Sequence, residues 1–390
     1  MSLNILVAPS GFKEGLDARA VAAAIARGTA RALPVATITQ LPLMDGGDGF
    51  TRVLVETTRG MLLTVEATDP LGRPISADIG FLGGTTTKTA VIEIAAAAGL
   101  RLVAPAERDL ARASSAGVGK LIRHALDLGA RRILIGCGDS GVNDAGVGLA
   151  RVLGARFLDE AGTDIEEGPL ALRALAKIDL SQLDPRLATT EVEVAVNWKN
   201  ALIGTRGVSR IYGPQKGASA ELVAALDDAL ARYAQVVQAT TGCDISAVPG
   251  AGASGGIGAA LAGLCGARLI PRFEVVQRYL QFEEQLAHAN LVLTAEGMID
   301  RQSAYGKIPA EVAARARVKG IPVIVLAGAI GCGAEDVIAT GVSAYFSITP
   351  RPMTLEHSMR EASRLLEAAA EQAVRSFYAG FCAASRLERG

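Results

Sequence analysis

Two acidic, glycine-rich segments lie far apart in the chain, and each closes a short apolar run. Leu41-Pro42-Leu43-Met44-Asp45-Gly46-Gly47-Asp48-Gly49 follows the strand-like run 35–41. Thr294-Ala295-Glu296-Gly297-Met298-Ile299-Asp300 follows Leu291-Val292-Leu293 and runs on to Gly306-Lys307. Strand, then carboxylates among glycines, then helix is how an α/β enzyme presents oxygen ligands at the carboxyl edge of its sheet. Glycine lets the backbone approach a phosphate, and carboxylates can hold a divalent cation, so the chemistry indicated is phosphoryl transfer. Charged residues directly after buried strands are costly unless paired or bound to a cation. Capping the next helix would need one carboxylate per segment. Asp45 with Asp48, and Glu296 with Asp300, exceed that need and lead the candidates.

Weaker candidates surround them. Lys13, in Ser10-Gly11-Phe12-Lys13-Glu14-Gly15 ahead of a helix, could share an anion with the helix amides, or be a solvated lysine. No G-x-x-x-x-G-K-[ST] loop is present, but G-x-G-x-x-G occurs at Gly136–Gly141 and again at Gly250–Gly255, the latter including Gly252. With 44 glycines in the chain, a tight turn or close packing explains either match equally well. Asn143-Asp144 precedes a helix, where capping is an equal alternative. Lys216, in Gly213-Pro214-Gln215-Lys216-Gly217, lies in a rigid turn that suits a phosphate contact, although a surface turn is commoner.

The elements that must position these residues follow a βαβα rhythm at the start: a continuous apolar strand over 4–9, a helix over 18–33 capped by Asp17, a strand over 35–42 and a helix over 50–58. Residues 61–68, 75–82 and 89–95 then read as an antiparallel meander with no room for helices. Helices over 116–128 and 144–153 flank a strand at 132–136, and strands follow near 156–158 and 191–198. Helices over 220–241, 256–265 and 273–287 complete the middle. From 290 the βαβ alternation returns, ending in an amphipathic helix over 354–377. The fold class predicted is α/β with two domains. One is a Rossmann-like, parallel-sheet domain built from both chain ends, 1–72 plus 286–390; the other is a mixed α/β domain, 73–285, inserted between them.

Composition narrows the function classes. Balanced charge (39 Lys+Arg against 40 Asp+Glu) and 4% aromatics argue against a nucleic-acid surface. Five scattered cysteines form no CxxC, and no two of the three histidines fall at ligand spacing. A disulfide framework, a zinc site and a histidine-relay hydrolase are therefore not expected, and a reducing cytoplasm is. No signal peptide is visible, and the longest apolar stretch, around 321–330, is shorter than the ~20 residues a bilayer requires. No membrane partner is expected; a homo-oligomer is left open.

At these residues the chain resembles the bacterial glycerate kinase family, the branch that makes 2-phosphoglycerate. The likeness runs along essentially the whole chain. It rests on Ala8-Pro9 with Phe12-Lys13, Asp45-Gly46-Gly47-Asp48-Gly49, Asn143-Asp144 with Gly146, Asn200-x-Leu202-x-Gly204, Gly213–Ala218, Pro249–Ala253, Glu296-Gly297 with Asp300 and Gln302, and Gly306-Lys307. The resemblance implies ATP-dependent, Mg²⁺-assisted phosphorylation of glycerate or a close hydroxy acid by a two-domain α/β protein with a cleft. On that expectation Asp45, Asp300 and Lys13 are catalytic, Asp45 and Glu296 hold the metal, and Asp48, Asn143, Asp144, Lys216, Gly252 and Lys307 bind substrate or phosphate. The chain departs from the family at Ser10-Gly11, where Asp-Ser is usual, and gains an acid at Asp139. Two rival readings remain: an NAD(P)-dependent oxidoreductase acting on a small hydroxy acid through Gly136–Gly141, with Asp159 or Glu160 on the ribose, and a non-catalytic binder of such acids.

Overall fold

The computed structural model describes residues 3–12, 15–44 and 46–387. The chain opens with β1 (Asn4–Val7), α1 (Ala18–Ala32), β2 (Thr37–Gln40) and α2 (Phe50–Thr58). Three strands follow, β3 (Met61–Thr68), β4 (Pro74–Phe81) and β5 (Thr89–Glu93), then α3 (Ala95–Ala98), α4 (Ala116–Asp127), β6 (Arg132–Gly136) and α5 (Val147–Val152). A hairpin, β7 (Arg156–Leu158) and β8 (Lys177–Asp179), leads to β9 (Glu191–Val196), α6 (Val208–Tyr212), α7 (Ala220–Thr241), α8 (Ala253–Cys265) and β10 (Arg268–Pro271). The chain closes with α9 (Arg272–Leu280), α10 (Phe282–Ala287), β11 (Leu291–Ile299), α11 (Ile308–Val318), β12 (Val323–Ile330), β13 (Ala344–Ser347), α12 (Leu355–Arg360) and α13 (Ala362–Leu387).

Contacts divide the molecule into two units, Met1–Met44 with Val276–Gly390, and Asp45–Val275. In the first, five strands form an all-parallel sheet in the order β13-β12-β11-β1-β2. Counted within the unit this is the doubly wound order 2-1-3-4-5, whose reversal falls between β1 and β11. Its central strands β1, β11 and β12 are near-continuously apolar, as strands covered on both faces must be, with Ile5, Val7, Leu291, Leu293 and Leu326 in the core. Asp17 caps α1, accepting from the Ala20 amide at 2.8 Å. Helices α1 and α13 meet closely at Gly28, where a Cβ would stand 2.1 Å from the Glu367 carbonyl oxygen. Arg27 and Arg31 bracket the Glu367 carboxylate at the same crossing.

The second unit holds a six-stranded sheet ordered β10-β9-β6-β5-β4-β3, parallel from β10 to β5 and antiparallel at β4 and β3. The antiparallel meander expected over 61–95 is present, β4 pairing antiparallel with both β3 and β5, and β5 pairs parallel with β6 on its other side. The sequence put the first boundary at 72; here β3 pairs along its whole length with β4, from Met61↔Phe81 to Thr68↔Pro74, which draws 45–72 into the inserted unit. The second division falls inside α9 rather than at 285. The helix expected over 273–287 is two, broken at Gln281, whose φ is 51°.

Candidate active site

In the doubly wound unit the carboxyl ends of β1 and β11 flank the point where strand order reverses, the place such sheets bind ligands. Backbone pairing persists past β1: Ala8 N donates to Leu293 O at 2.8 Å and Ser10 N to Ala295 O at 3.2 Å. Buried Ser10 then turns its hydroxyl to Ala295 O (2.9 Å) and to Glu296 Oε2 (3.2 Å). Glu296 was expected on a loop. Instead β11 continues to Ile299, paired with Ile330, so Glu296 stands on a strand extension opposite Ala327. Gly297 and Gly328 permit this, since a Cβ on Gly328 would lie 2.5 Å from Gly297 O.

Asp300 follows as the N-cap of a 3₁₀ turn at Arg301–Ala304. Its Oδ1 accepts from Gln302 N (2.9 Å) and from Ser303 Oγ (3.3 Å), and Ser303 Oγ in turn accepts from the Asp300 amide. The capping role weighed for this residue is therefore present. Lys307, itself the N-cap of α11, donates to Met298 O at 3.2 Å and lies 3.9 Å from Glu296 Oε1 and 3.8 Å from Asp300 Oδ1. Two half-buried carboxylates thus share one ammonium just ahead of an eleven-residue helix, whose N-terminal end carries partial positive charge. Among the described residues no group of three or more His, Cys, Asp and Glu could hold a metal. Magnesium needs less, since it is usually held by one or two carboxylates with phosphate and water completing the shell. Glu296 and Asp300 fit that donor set.

In the inserted unit the acidic loop enters α2 through Gly49, in the left-handed region at φ 89°. Asp48 Oδ1 accepts from Arg101 Nε at 2.6 Å, and the Asp48 amide donates to Asp139 Oδ2 at 3.3 Å. Glu93, buried at the end of β5, accepts from the Thr51 amide at 2.9 Å. Burial pushes its carboxyl up to about 7.

The first G-x-G-x-x-G run lies beneath this loop. A Cβ on Gly136 would stand 2.6 Å from Phe50 Cδ1, and one on Gly138 would stand 2.5 Å from Gly47 N. The space over these glycines is filled by the Phe50 ring and by the backbone of Gly46 and Gly47, which leaves no room for a dinucleotide's pyrophosphate. Asp159, the ribose partner considered for that reading, closes a turn instead, accepting from Ala161 N and Thr163 N at 2.9 Å.

The remaining expected residues separate. Lys13 and Asp45 lie outside the described residues. Asp144 is buried and accepts from Ser115 N (2.8 Å), Ser115 Oγ (2.7 Å), Gly148 N (3.1 Å) and Gly146 N (3.2 Å), so its carboxylate ties α4 to α5 rather than awaiting a phosphate. Burial raises its pKa, and those four donors oppose the rise. Asn143 is fully buried, with Nδ2 on Ser209 Oγ at 2.9 Å. Lys216 is buried too, donating to Val142 O (2.7 Å) and Ser140 Oγ (3.1 Å), so it secures the loop between β6 and α5. The Gly252 amide is spent on Asn200 O at 3.1 Å, and a Cβ there would meet Ala201 O at 2.0 Å, so this glycine serves close packing. Sequence reasoning passed over Glu93 and Arg101. Glu93 gave the same signal as Glu296, a carboxylate ending a buried apolar strand; Arg101 gave none.

Three comparisons bear on this arrangement. Residues 5–378 match a model of the glycerate kinase family. The chain is 40% identical over 367 residues to a glycerate kinase of Halalkalibacterium halodurans, covering 94% of this chain and 96% of that protein. It is 41% identical over 360 residues to the glycerate 2-kinase of Escherichia coli, covering 92% and 94%. A crystal structure described as that of glycerate kinase 2 from Salmonella typhimurium LT2 superposes with a TM-score of 0.74 at 42% identity, covering 97% of this chain and 99% of that one.

Proposed function

The chain belongs to the glycerate kinase family, phosphotransferases with an alcohol acceptor, and on that premise we propose that it moves the γ-phosphoryl of ATP to the 2-hydroxyl of glycerate, with Mg²⁺ as the assisting ion. The observation that carries the residue assignment is the convergence of Glu296, Asp300 and Lys307 at the reversal of the parallel sheet. Phosphoryl transfer asks the protein for position and for charge stabilisation more than for covalent chemistry. Lys307 and the positive N-terminal end of α11 would receive phosphate oxygens. Glu296, oriented by Ser10, would hold the magnesium with Asp300, and Asp45 belongs to the same proposal as a metal ligand or base. Bound there, the ion would neutralise charge on the phosphate oxygens. Asp48 and Lys13 are retained as phosphate or substrate contacts, Asp48 presented by Arg101. Asn143, Asp144, Lys216 and Gly252 instead hold the loops of the inserted unit in shape. A cytoplasmic setting fits five cysteines that are all free, and no helix among the described residues is long and apolar enough to cross a membrane.

A coupled ADP-release assay over a panel of small hydroxy acids, each with and without Mg²⁺, tests the proposal. Glycerate should support turnover only with the metal, and Glu296→Gln should lower kcat by on the order of 100-fold or more. Release of ADP with no hydroxy acid above the blank, or a Glu296→Gln enzyme at the parent rate, would overturn it.

A further inference from the structure

Helix α2 starts without a capping side chain, because its N-cap is Gly49. Its first amides are satisfied from elsewhere in the chain: Glu93, 42 residues on, takes the Thr51 amide through Oε2 at 2.9 Å and the Gly49 amide as well. Glu93 is 8% exposed, so this carboxylate is a buried clamp and no surface contact. The loop it clamps carries Asp48, whose carboxylate is held by Arg101 and whose amide reaches Asp139. Removing Glu93 would leave two helix-start donors facing a dry interior, a loss the loop could relieve only by moving.

We propose that Glu93 is a positioning residue for the phosphotransfer reaction: by clamping the start of α2 it sets where Asp48 and Arg101 stand. The proposal rests on the function argued above. Among the described residues, the charged groups acting on Glu93 are Asp48 and Arg101, and Asp139 acts in turn on Arg101. Of the other elements packed on β5, β4 pairs through Gly80 and Phe81, β6 sets Gly136 opposite Glu93, and α4 buries Val118, Leu121 and Ile122, none of them charged. Desolvation lifts Glu93 to about 7; Asp48 adds to the rise, and the Thr51 and Gly49 amides with Arg101 oppose it. The clamp is therefore at full strength only above neutrality. Protonation leaves a neutral acid, a weaker acceptor for two amides.

The test follows kcat/KM against pH for the parent and Glu93→Gln, together with the backbone amide resonances of Asp48, Gly49 and Thr51. In the parent, kcat/KM should fall on the acid side of a midpoint near 7, with those amides shifting at the same midpoint. Glu93→Gln keeps the volume and one carbonyl acceptor but cannot titrate. It should lose the inflection, hold its amides still, and run on the order of 10- to 100-fold below the parent at pH 8. Glu93→Asp should restore the inflection at reduced activity, which a merely structural residue would not do. Amides that stay fixed from pH 6 to 8 in the parent, or that titrate alike in Glu93→Gln, would overturn the proposal, and the parent measurement decides even if a variant fails to fold. Moving amides without any turnover would instead strike at the assigned function.

Discussion

Gly138→Ala isolates the packing beneath the acidic loop. The added methyl would lie 2.5 Å from Gly47 N, 2.6 Å from Gly47 Cα and 2.9 Å from the Gly46 carbonyl carbon, all backbone atoms that cannot swing aside as a side-chain tip would. Ordinary contact begins at 3.4 Å, so the loop must lift by about 0.9 Å. Overpacking of this kind costs about 1–3 kcal/mol of stability. A displacement near 1 Å in a charge-positioning loop costs on the order of 100-fold in rate. Catalysis should therefore suffer more than folding: kcat/KM for glycerate, followed by ADP release, should drop by about two orders of magnitude while urea unfolding shows only the smaller loss. Gly380→Ala is the matched control, because nothing lies within 4 Å of its would-be methyl on α13. That variant should be active and more stable by about 0.5–1 kcal/mol. A Gly138→Ala enzyme within twofold of the parent would refute the view that this glycine exists to let the acidic loop lie where it does.

Two other outcomes follow from buried carboxylates. Asp144→Ala strands four donors at the junction of α4 and α5 and should cost about 3 kcal/mol or more in urea unfolding, while the fraction that folds keeps most of its kcat; a loss under about 1 kcal/mol would show that the carboxylate does not hold that junction. Glu93 binds its proton more tightly folded than unfolded, since its folded value of about 7 exceeds the ordinary 4.5. Its contribution is fullest below the unfolded value and is lost as pH rises through the folded one. Relative to the parent, Glu93→Gln should therefore gain roughly 3 kcal/mol in unfolding free energy between pH 4.5 and 8, and parallel pH curves for the two proteins would contradict the buried, shifted carboxyl.

Period and punctuation carried most of the fold. The helix at Phe50–Thr58, the strand at Met61–Thr68 and the helix at Ala220–Thr241 were legible to the residue, because each lies between residues that stop it, such as Gly49 and Gly60 or Ser219 and Gly242. The all-parallel sheet was legible from uninterrupted apolar runs at both ends of the chain. What misled was continuity. Nothing local marks the break at Gln281, which takes a left-handed φ of 51°. Nothing in 291–299 says that pairing with β12 outlasts the apolar run, since Glu296 and Gly297 read locally as loop residues.

The candidate site divides along the same physical line. A carboxylate in a glycine setting announces that it is costly to place, but not what meets the cost. For Glu296 and Asp300 the partner is a shared lysine near 4 Å, close enough to balance charge and loose enough to admit a third group. For Asp144 four donors close around the carboxylate and admit nothing. The two cases look alike in sequence because the donors to Asp144 are mostly backbone amides, which every residue carries. Glycine is ambiguous for the same reason: Gly136, Gly138 and Gly252 satisfy a phosphate-loop pattern, yet each is small because another stretch of this chain lies against it. Glu93 gathers both lessons. It is a carboxylate held at a cost in stability above neutral pH, accepting amides that no nearby side chain serves, and the return on that cost is the placement of Asp48. If the placement did not matter to the reaction, glutamine would do the same work at every pH without the desolvated charge, and that substitution is the one that separates the two possibilities.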